Sequence, residues 1–207
     1  MTNYIHFLDN LARELHAIIL SQSNLTEIPT EDWGWENYRY SSDKFRLAHI
    51  EIFNQDRFMV VHCCVFPHAD DTAPIFGFDV IAGENKVTGV FLDLSPTNSK
   101  PLMPFSNITI NKQRERPEWG DIFSDHWIAA RPDEAEMQLI ADEAKQVLTN
   151  YLTTLQIELG DVAEITIGQN IYCEKQSQNE HTFRALKNII GEAAAKTFMT
   201  QVLFPQI

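Results

Sequence analysis

The sequence is short of cysteine, of positive charge and of long apolar runs. Cys63, Cys64 and Cys173 are an odd number without paired spacing, which argues against a disulfide framework. Cys63 and Cys64 are neighbours in a strand-like run, so they point to opposite faces. That suits small buried hydrophobes rather than a shared metal. Lys and Arg number 16 against 29 Asp and Glu, a formal net charge of −13. A general nucleic-acid binder carries the opposite sign. No stretch approaches the length of a membrane span. The opening segment MTNYIHFLDNLARELHAIIL has neither a basic n-region nor a small-residue cleavage site. No secretory signal is expected, and cytoplasmic residence is the default. G-x-G-x-x-G, Walker and nucleophile-elbow motifs are also missing, which removes support for a nucleotide, a flavin or Ser-His-Asp chemistry.

What is present is apolar material for one sizeable core: 44% hydrophobic and 11% aromatic residues over a length of 207. A single domain over 1–207 is expected. Residues 2–21 read as an amphipathic helix, with Tyr4, Phe7, Leu8, Leu11, Leu15, Ile18 and Ile19 on one stripe and Thr2 as N-cap. Residues 22–43 read as polar and turn-rich. Four strand-like runs follow, at 44–53, 57–66, 75–82 and 87–94, with a hairpin turn at NQD between the first two. In the first run Phe45, Leu47, His49, Glu51 and Phe53 share a face, and Ala48, Ile50 and Ile52 share the other. In the second, Phe58, Val60, His62, Cys64 and Phe66 lie together. In the third, Ile75, Gly77, Asp79 and Ile81 do.

Short turns imply antiparallel pairing, and apolar residues on both faces imply cover on both sides. After an irregular stretch at 95–125 and an extended piece at 126–130, a long helix is expected from Pro132 to about Leu159. The last quarter is largely helical, with Phe183, Leu186, Ile189 and Ile190 at helical spacing. Strands followed by helices predict a three-layer α/β/α sandwich around a central antiparallel β-sheet.

His49, Glu51, His62 and Asp79 are ionisable groups inside apolar strand runs, where burial is expensive unless they are paired or protonated. One such residue is most often a satisfied structural polar group. Four on neighbouring strands point to a proton-handling pocket. His49 and Glu51 share a face, and His62 meets them across the sheet if its strand is adjacent. His6 and His16 read as surface residues. His68, Asp70 and Asp71 read as a solvated loop, because no second ligand cluster accompanies them. Arg114 and Arg116 in KQRER are either a solvated basic loop or a fork for a carboxylated ligand. Asn179 and Glu180 open a helical stretch, where Glu180 either favours the helix dipole or aims an acid into the pocket.

In order along the chain, seven segments resemble the ferredoxin-dependent bilin reductases, nearest their phycocyanobilin-forming and phage-borne branches. They are HIE at 49–51, HCCVFP at 62–67, PIFGFDVIAG at 74–83, DLSPT at 93–97, RERPEWGDIFS at 114–124, YCEKQSQNEHT at 172–182 and TQVLF at 200–204. The resemblance implies a pocket for biliverdin IXα between the sheet and the C-terminal helices. It also implies single electrons from reduced ferredoxin as external donor, with no bound flavin, nicotinamide or metal. It assigns Asp79 as central proton donor, His62 as its partner or relay, and His49 and Glu51 as a supporting network. Arg114 and Thr88 are assigned to propionates. Many relatives carry Asn-Asp where this chain has Asn179–Glu180, and often a lysine near a propionate where it has His181. Phycoerythrobilin is therefore expected over phycocyanobilin. An acidic ferredoxin requires a local basic face, with Lys112, Arg114, Arg116, Lys175, Arg184 and Lys187 as candidates. A monomer without nucleic-acid or membrane partners is expected. The rival reading is a bilin-binding carrier without reductase activity.

Overall fold

The computed structural model describes residues 4–55, 58–116 and 120–207. The expected N-cap Thr2 and the turn residues Asp56 and Arg57 lie outside them. Seven strands form one antiparallel sheet in simple chain order. They are β1 (Thr26–Glu27), β2 (Glu36–Ser41), β3 (Phe45–Gln55), β4 (Phe58–Pro67), β5 (Ile75–Gly83), β6 (Lys86–Ser95) and β7 (Ile128–Ala130). Helices α1 (Tyr4–Leu20) and α2 (Glu134–Thr154) cover one face. The other is covered by α3 (Val162–Ser177), α4 (Glu180–Ile190), α5 (Glu192–Thr197) and a π-helical turn over Phe198–Leu203. The three-layer sandwich is thus the observed fold.

Period-two alternation decides which residue meets which layer. Ala48, Ile50 and Ile52 of β3 join Val61, Cys63 and Val65 of β4 and Phe76, Phe78 and Val80 of β5. Together they pack on Leu8, Leu11, Leu15 and Ile19 of α1 and on Ile140, Ala144, Leu148 and Tyr151 of α2. Each such buried side chain contributes roughly 1.5–3 kcal/mol. The opposite face sends Leu47, Cys64, Phe66 and Ile75 against Tyr172 and Cys173 of α3, Leu186 of α4, and Phe198, Met199 and Phe204. Cys63 and Cys64 do part to opposite faces, and both are free thiols.

Five expectations need correction. Residues 36–41 form a strand, although their polar alternation read as loop. Tyr38 and Tyr40 face α1, where they hold the His16 ring by stacking and by a 2.9 Å hydrogen bond, so His16 is half-buried. Phe45 joins the α1–α2 core and not the face of Leu47. A register shift between Phe45 and Leu47 turns Arg46 toward Gln169 of α3 and the Pro205 carbonyl. The long helix ends at Thr154, short of Leu159. The buried Asp71 carboxylate accepts from the Gln156 and Ala73 amides at 2.6 and 2.9 Å, and Gln156 turns left-handed at φ 63°. Asp71 is therefore a chain-stopping cap across 85 residues and not part of a solvated loop. A new helix, α3, starts at its own N-cap, Asp161, whose side chain accepts from the Glu164 amide.

Helix α3 lies hard against the segment after β6. A Cβ added at Gly168 would stand 1.9 Å from the Thr97 carbonyl oxygen. At Gly191, between α4 and α5, a Cβ meets nothing, and the only strain is φ +84°. Gly168→Ala is expected to destabilise the fold by about 3 kcal/mol or more, because backbone cannot move aside as a side chain can. Gly191→Ala should cost only about 1–2 kcal/mol. Urea unfolding of both variants checks the order; equal losses would refute the close contact.

Candidate active site

Strand register builds the site. Glu51 on β3 is directly opposite His62 on β4, and His62 is directly opposite Asp79 on β5. Directly opposed residues share a face, so the three groups form one row on the face toward the C-terminal helices. The row continues to Phe91 on β6 and starts at Asn37 on β2. A second row runs beside it: Arg39, His49, Cys64, Gly77 and Asp93. The His49 and His62 rings meet across the sheet with centroids 5.2 Å apart.

Burial is graded along the first row. Glu51 and His62 are 6% and 5% exposed, His49 is 0%, and the Asp79 side chain is 40% exposed. His62 Nδ1–H donates to Asp79 Oδ1 at 2.7 Å. Phe204 stands edge-on to His62 from the C-terminal layer at 6.2 Å, with Tyr172 behind it. Burial pulls the His62 imidazolium down, but the Asp79 carboxylate, by charge and hydrogen bond, and then Glu51 outweigh it, so its pKa is raised. Burial pushes Glu51 up to about 7, against the pull of His62. Burial, then the charges of His62 and Arg39, holds His49 well below the usual imidazole range. The row thus favours a neutral His49, draws His62 toward its imidazolium beside Asp79, and draws Glu51 toward its uncharged acid.

Several polar atoms of these rows lack a hydrogen-bond partner among the described residues. They are both ring nitrogens of His49, Nε2 of His62, Nε of Arg39 and Nδ2 of Asn37. Buried polar atoms are normally paired, so their concentration on one face marks it as a place built to meet further polar atoms. The described residues include no His, Cys, Asp or Glu group able to hold a metal ion.

Of the residues predicted from sequence, His49, Glu51, His62 and Asp79 converge. Arg114 joins their face: its guanidinium lies 3.5 Å from where a Gly89 Cβ would be, and Gly89 is two residues from Phe91 on β6. Its guanidinium makes no hydrogen bond or ion pair with the described residues, whereas that of Arg116 is bound to the Ser124 carbonyl and lies over the Trp127 ring. Thr88 is exposed, and its hydroxyl donates to the Ile81 carbonyl at 3.1 Å. Asn179 is the N-cap of α4, its side chain accepting from the His181 and Thr182 amides. Glu180 and His181 are exposed, and no hydrogen bond links them to the row. His68 Nε2–H donates to the Ser42 carbonyl at 2.9 Å, a structural contact.

Sequence reading missed Asn37, Arg39 and Asp93. Asp93 carried the same signal as Asp79, an acid within an apolar run, VFLDLS. Asn37 and Arg39 were legible only as the polar half of the alternation in ENYRYS.

A family model described as ferredoxin-dependent bilin reductase matches residues 21–205. The phycocyanobilin:ferredoxin oxidoreductase of Synechococcus elongatus is 31% identical over 191 residues, covering 82% of this chain and 75% of that protein. Its counterpart in Gloeobacter violaceus is 31% identical over 186 residues, covering 81% and 72%. Among solved structures, a protein named PcyX superposes with a TM-score of 0.71 at 26% identity, covering 97% of this chain and 99% of the other. Phytochromobilin synthase from tomato, solved in complex with biliverdin, shares the fold at a TM-score of 0.72 and 18% identity, covering 97% and 82%. With the family match running from the end of α1 to the last turn of the C-terminal layer, the chain belongs to the ferredoxin-dependent bilin reductases.

Proposed function

We propose that this chain reduces biliverdin IXα to phycoerythrobilin, with electrons arriving singly from reduced ferredoxin and protons from the Glu51–His62–Asp79 row. The observation that carries the reading is the row itself: three titratable groups in direct register, buried at Glu51 and His62 and open at Asp79. Each double bond reduced takes up two electrons and two protons. Electron addition makes the pigment more basic, and a nearby acid traps the anion or radical by protonation. The proton starts on His62, crosses the 2.7 Å hydrogen bond to Asp79 at the exposed end, and passes from Asp79 to the pigment; Glu51, with its pKa of about 7, then reloads His62. His49 stays neutral and keeps a second positive charge away from His62.

Arg114, lying over Gly89 on the same face, is assigned to a pigment propionate, with Thr88 and His181 as further propionate contacts. Of the expected docking cations, Lys112, Arg116, Lys175 and Lys187 each have an acid of this chain within 4 Å. Exposed pairs of this kind are weak and salt-sensitive. Residues 112–114 run beside β7, and Lys112, Arg114 and Arg131 line one cleft there with Gln113 and Glu115. That edge is where an acidic ferredoxin would approach the pigment most directly. Glu180 lies at the exposed start of α4, outside the row, and that placement is the ground for preferring phycoerythrobilin as product.

Anaerobic incubation with biliverdin IXα, ferredoxin and a ferredoxin-reducing system, followed by chromatography, is expected to yield phycoerythrobilin. Phycocyanobilin alone would overturn the product, and stable binding without spectral change would favour the carrier. Asp79→Asn is expected to keep pigment binding, accumulate radical absorbance and lower product formation by roughly 100-fold or more. An undiminished yield would remove Asp79 from its role. The raised Glu51 pKa also has a stability consequence. The protonated group suits the fold, so its contribution is complete below about pH 4.5 and is lost as pH rises through about 7. The shift corresponds to about 3 kcal/mol. Glu51→Gln should therefore gain stability relative to wild type between pH 5 and pH 8 in urea unfolding; a constant difference would contradict the burial argument.

A further inference from the structure

Next to the proton row, β6 carries a second buried acid that the mechanism above does not use. Asp93 is 0% exposed and sits opposite Gly77, on the face of Asp79 and Phe91. Its carboxylate accepts three hydrogen bonds: from Ser95 Oγ at 2.6 Å, from the Ser124 amide at 3.0 Å and from Ser124 Oγ at 2.5 Å. Two of the three come from a residue 31 positions away, in the segment leading into β7. Ser124 then organises its neighbours. Its Oγ accepts from the His126 amide at 3.1 Å, and its carbonyl accepts from the Arg116 guanidinium.

The segment so held carries an aromatic stack. The Phe123 and Trp127 rings lie 7° from parallel at 5.7 Å, and both rest on Phe91, at 4.7 and 5.7 Å. Arg116 covers the outer face of the assembly, 5.5 Å over Trp127. Phe91 is the cross-strand partner of Asp79. The stack is therefore the wall that flanks the proton donor on the side away from His62.

We propose that Asp93 is a positioning residue for pigment reduction: through Ser124 it fixes the Phe123–Trp127 stack against Phe91 and so sets the wall beside Asp79. The proposal rests on the bilin-reductase reading for its consequence, though the latch itself is a property of the ligand-free chain. An acid is suited to the place because a carboxylate accepts all three donors at once. Plain packing would be met as well by an apolar side chain, without the desolvation that raises this carboxyl's pKa against the Ser124 and Ser95 hydrogen bonds.

The test pairs Asp93→Asn with Trp127→Leu and their combination in the full chain, with Ser124→Ala as a milder cut at the same latch. In the ligand-free protein, hydrogen exchange over residues 120–127 is expected to quicken in Asp93→Asn and in Ser124→Ala, while β3–β5 stay protected. Unchanged exchange there, or loosening spread evenly over the sheet, would overturn the latch. With biliverdin, Asp93→Asn should weaken binding roughly tenfold and shift the bound-pigment absorbance, since small misplacements at a reacting centre are costly. The double variant should bind no more weakly than Trp127→Leu alone, because the acid acts through the wall. Additive losses would assign Asp93 a separate role and overturn the proposal. A wild-type chain that binds no biliverdin would count against the proposed function alone, with the exchange measurements still deciding the latch.

Discussion

Strand register is the constraint on which everything else depends. Glu51, His62 and Asp79 face one another only because β3, β4 and β5 pair without a slip across their central residues. A shift by one residue on any of these strands would send its ionisable group into the α1–α2 core. The register is held from the other side. Ile50, Ile52, Val61, Cys63, Phe78 and Val80 are buried to within a few per cent in that core, and none of them tolerates the polar face. The apolar layer thus acts at a distance, as the reason the acids and imidazoles meet.

The two faces answer different physical demands. On the α1–α2 side, apolar side chains fill the space and the polar contacts lie at the rim. On the other side the sheet presents charge, and the covering layer is built to tolerate it. A buried imidazolium at His62 needs an anion, which the 2.7 Å contact with Asp79 supplies. The Asp79 side chain is itself partly in water, at 40% exposed. Glu51 has no such outlet, so it holds its proton more tightly. One row therefore contains a buried acid, a buried imidazole paired to a carboxylate and a group open to the outside. Burial sets the first, and the Asp79 contact sets the second.

How much of this the sequence disclosed depends on how regular each signal is. Strands β3 to β6 declared themselves by alternation bounded by turns, and the anomalous His, Glu and Asp stood out against that background. Strand β2 did not, because Asn37 and Arg39 face the polar site and the alternating Tyr38 and Tyr40 read as neither strand nor core. Helix α3 lies in the last quarter, which read as largely helical, but its buried face was not legible. Ile165, Tyr172 and Cys173 are buried while Val162, Ile167 and Ile171 are exposed, so apolar residues circle the helix without a stripe. Phe45 followed the alternation on paper and left it in space, because one irregular step at Arg46 is invisible in a pattern of apolar and polar letters. The break at Thr154 depends on Asp71, a partner too remote for local rules. Asn179 proved legible as a cap, and its neighbour Glu180 is explained by the same helix start, where a carboxylate faces the helix dipole.

Charge links the fold to its proposed partner. A chain of net charge −13 repels an acidic protein at long range, so any productive approach has to be local. Most lysines near the site are matched by acids of the same chain, as Lys175 is by Asp121 and Lys187 by Glu192. Arg114 and Arg131, beside β7, have no such acid partner among the described residues. Two arginines without an acid partner therefore stand together at the β7 edge of the sheet. Electrons would then reach the pigment from the sheet edge while protons reach it from within the sheet. Keeping the two routes apart matters chemically. His62 and Asp79 can keep their 2.7 Å hydrogen bond only if the electron donor never has to displace them.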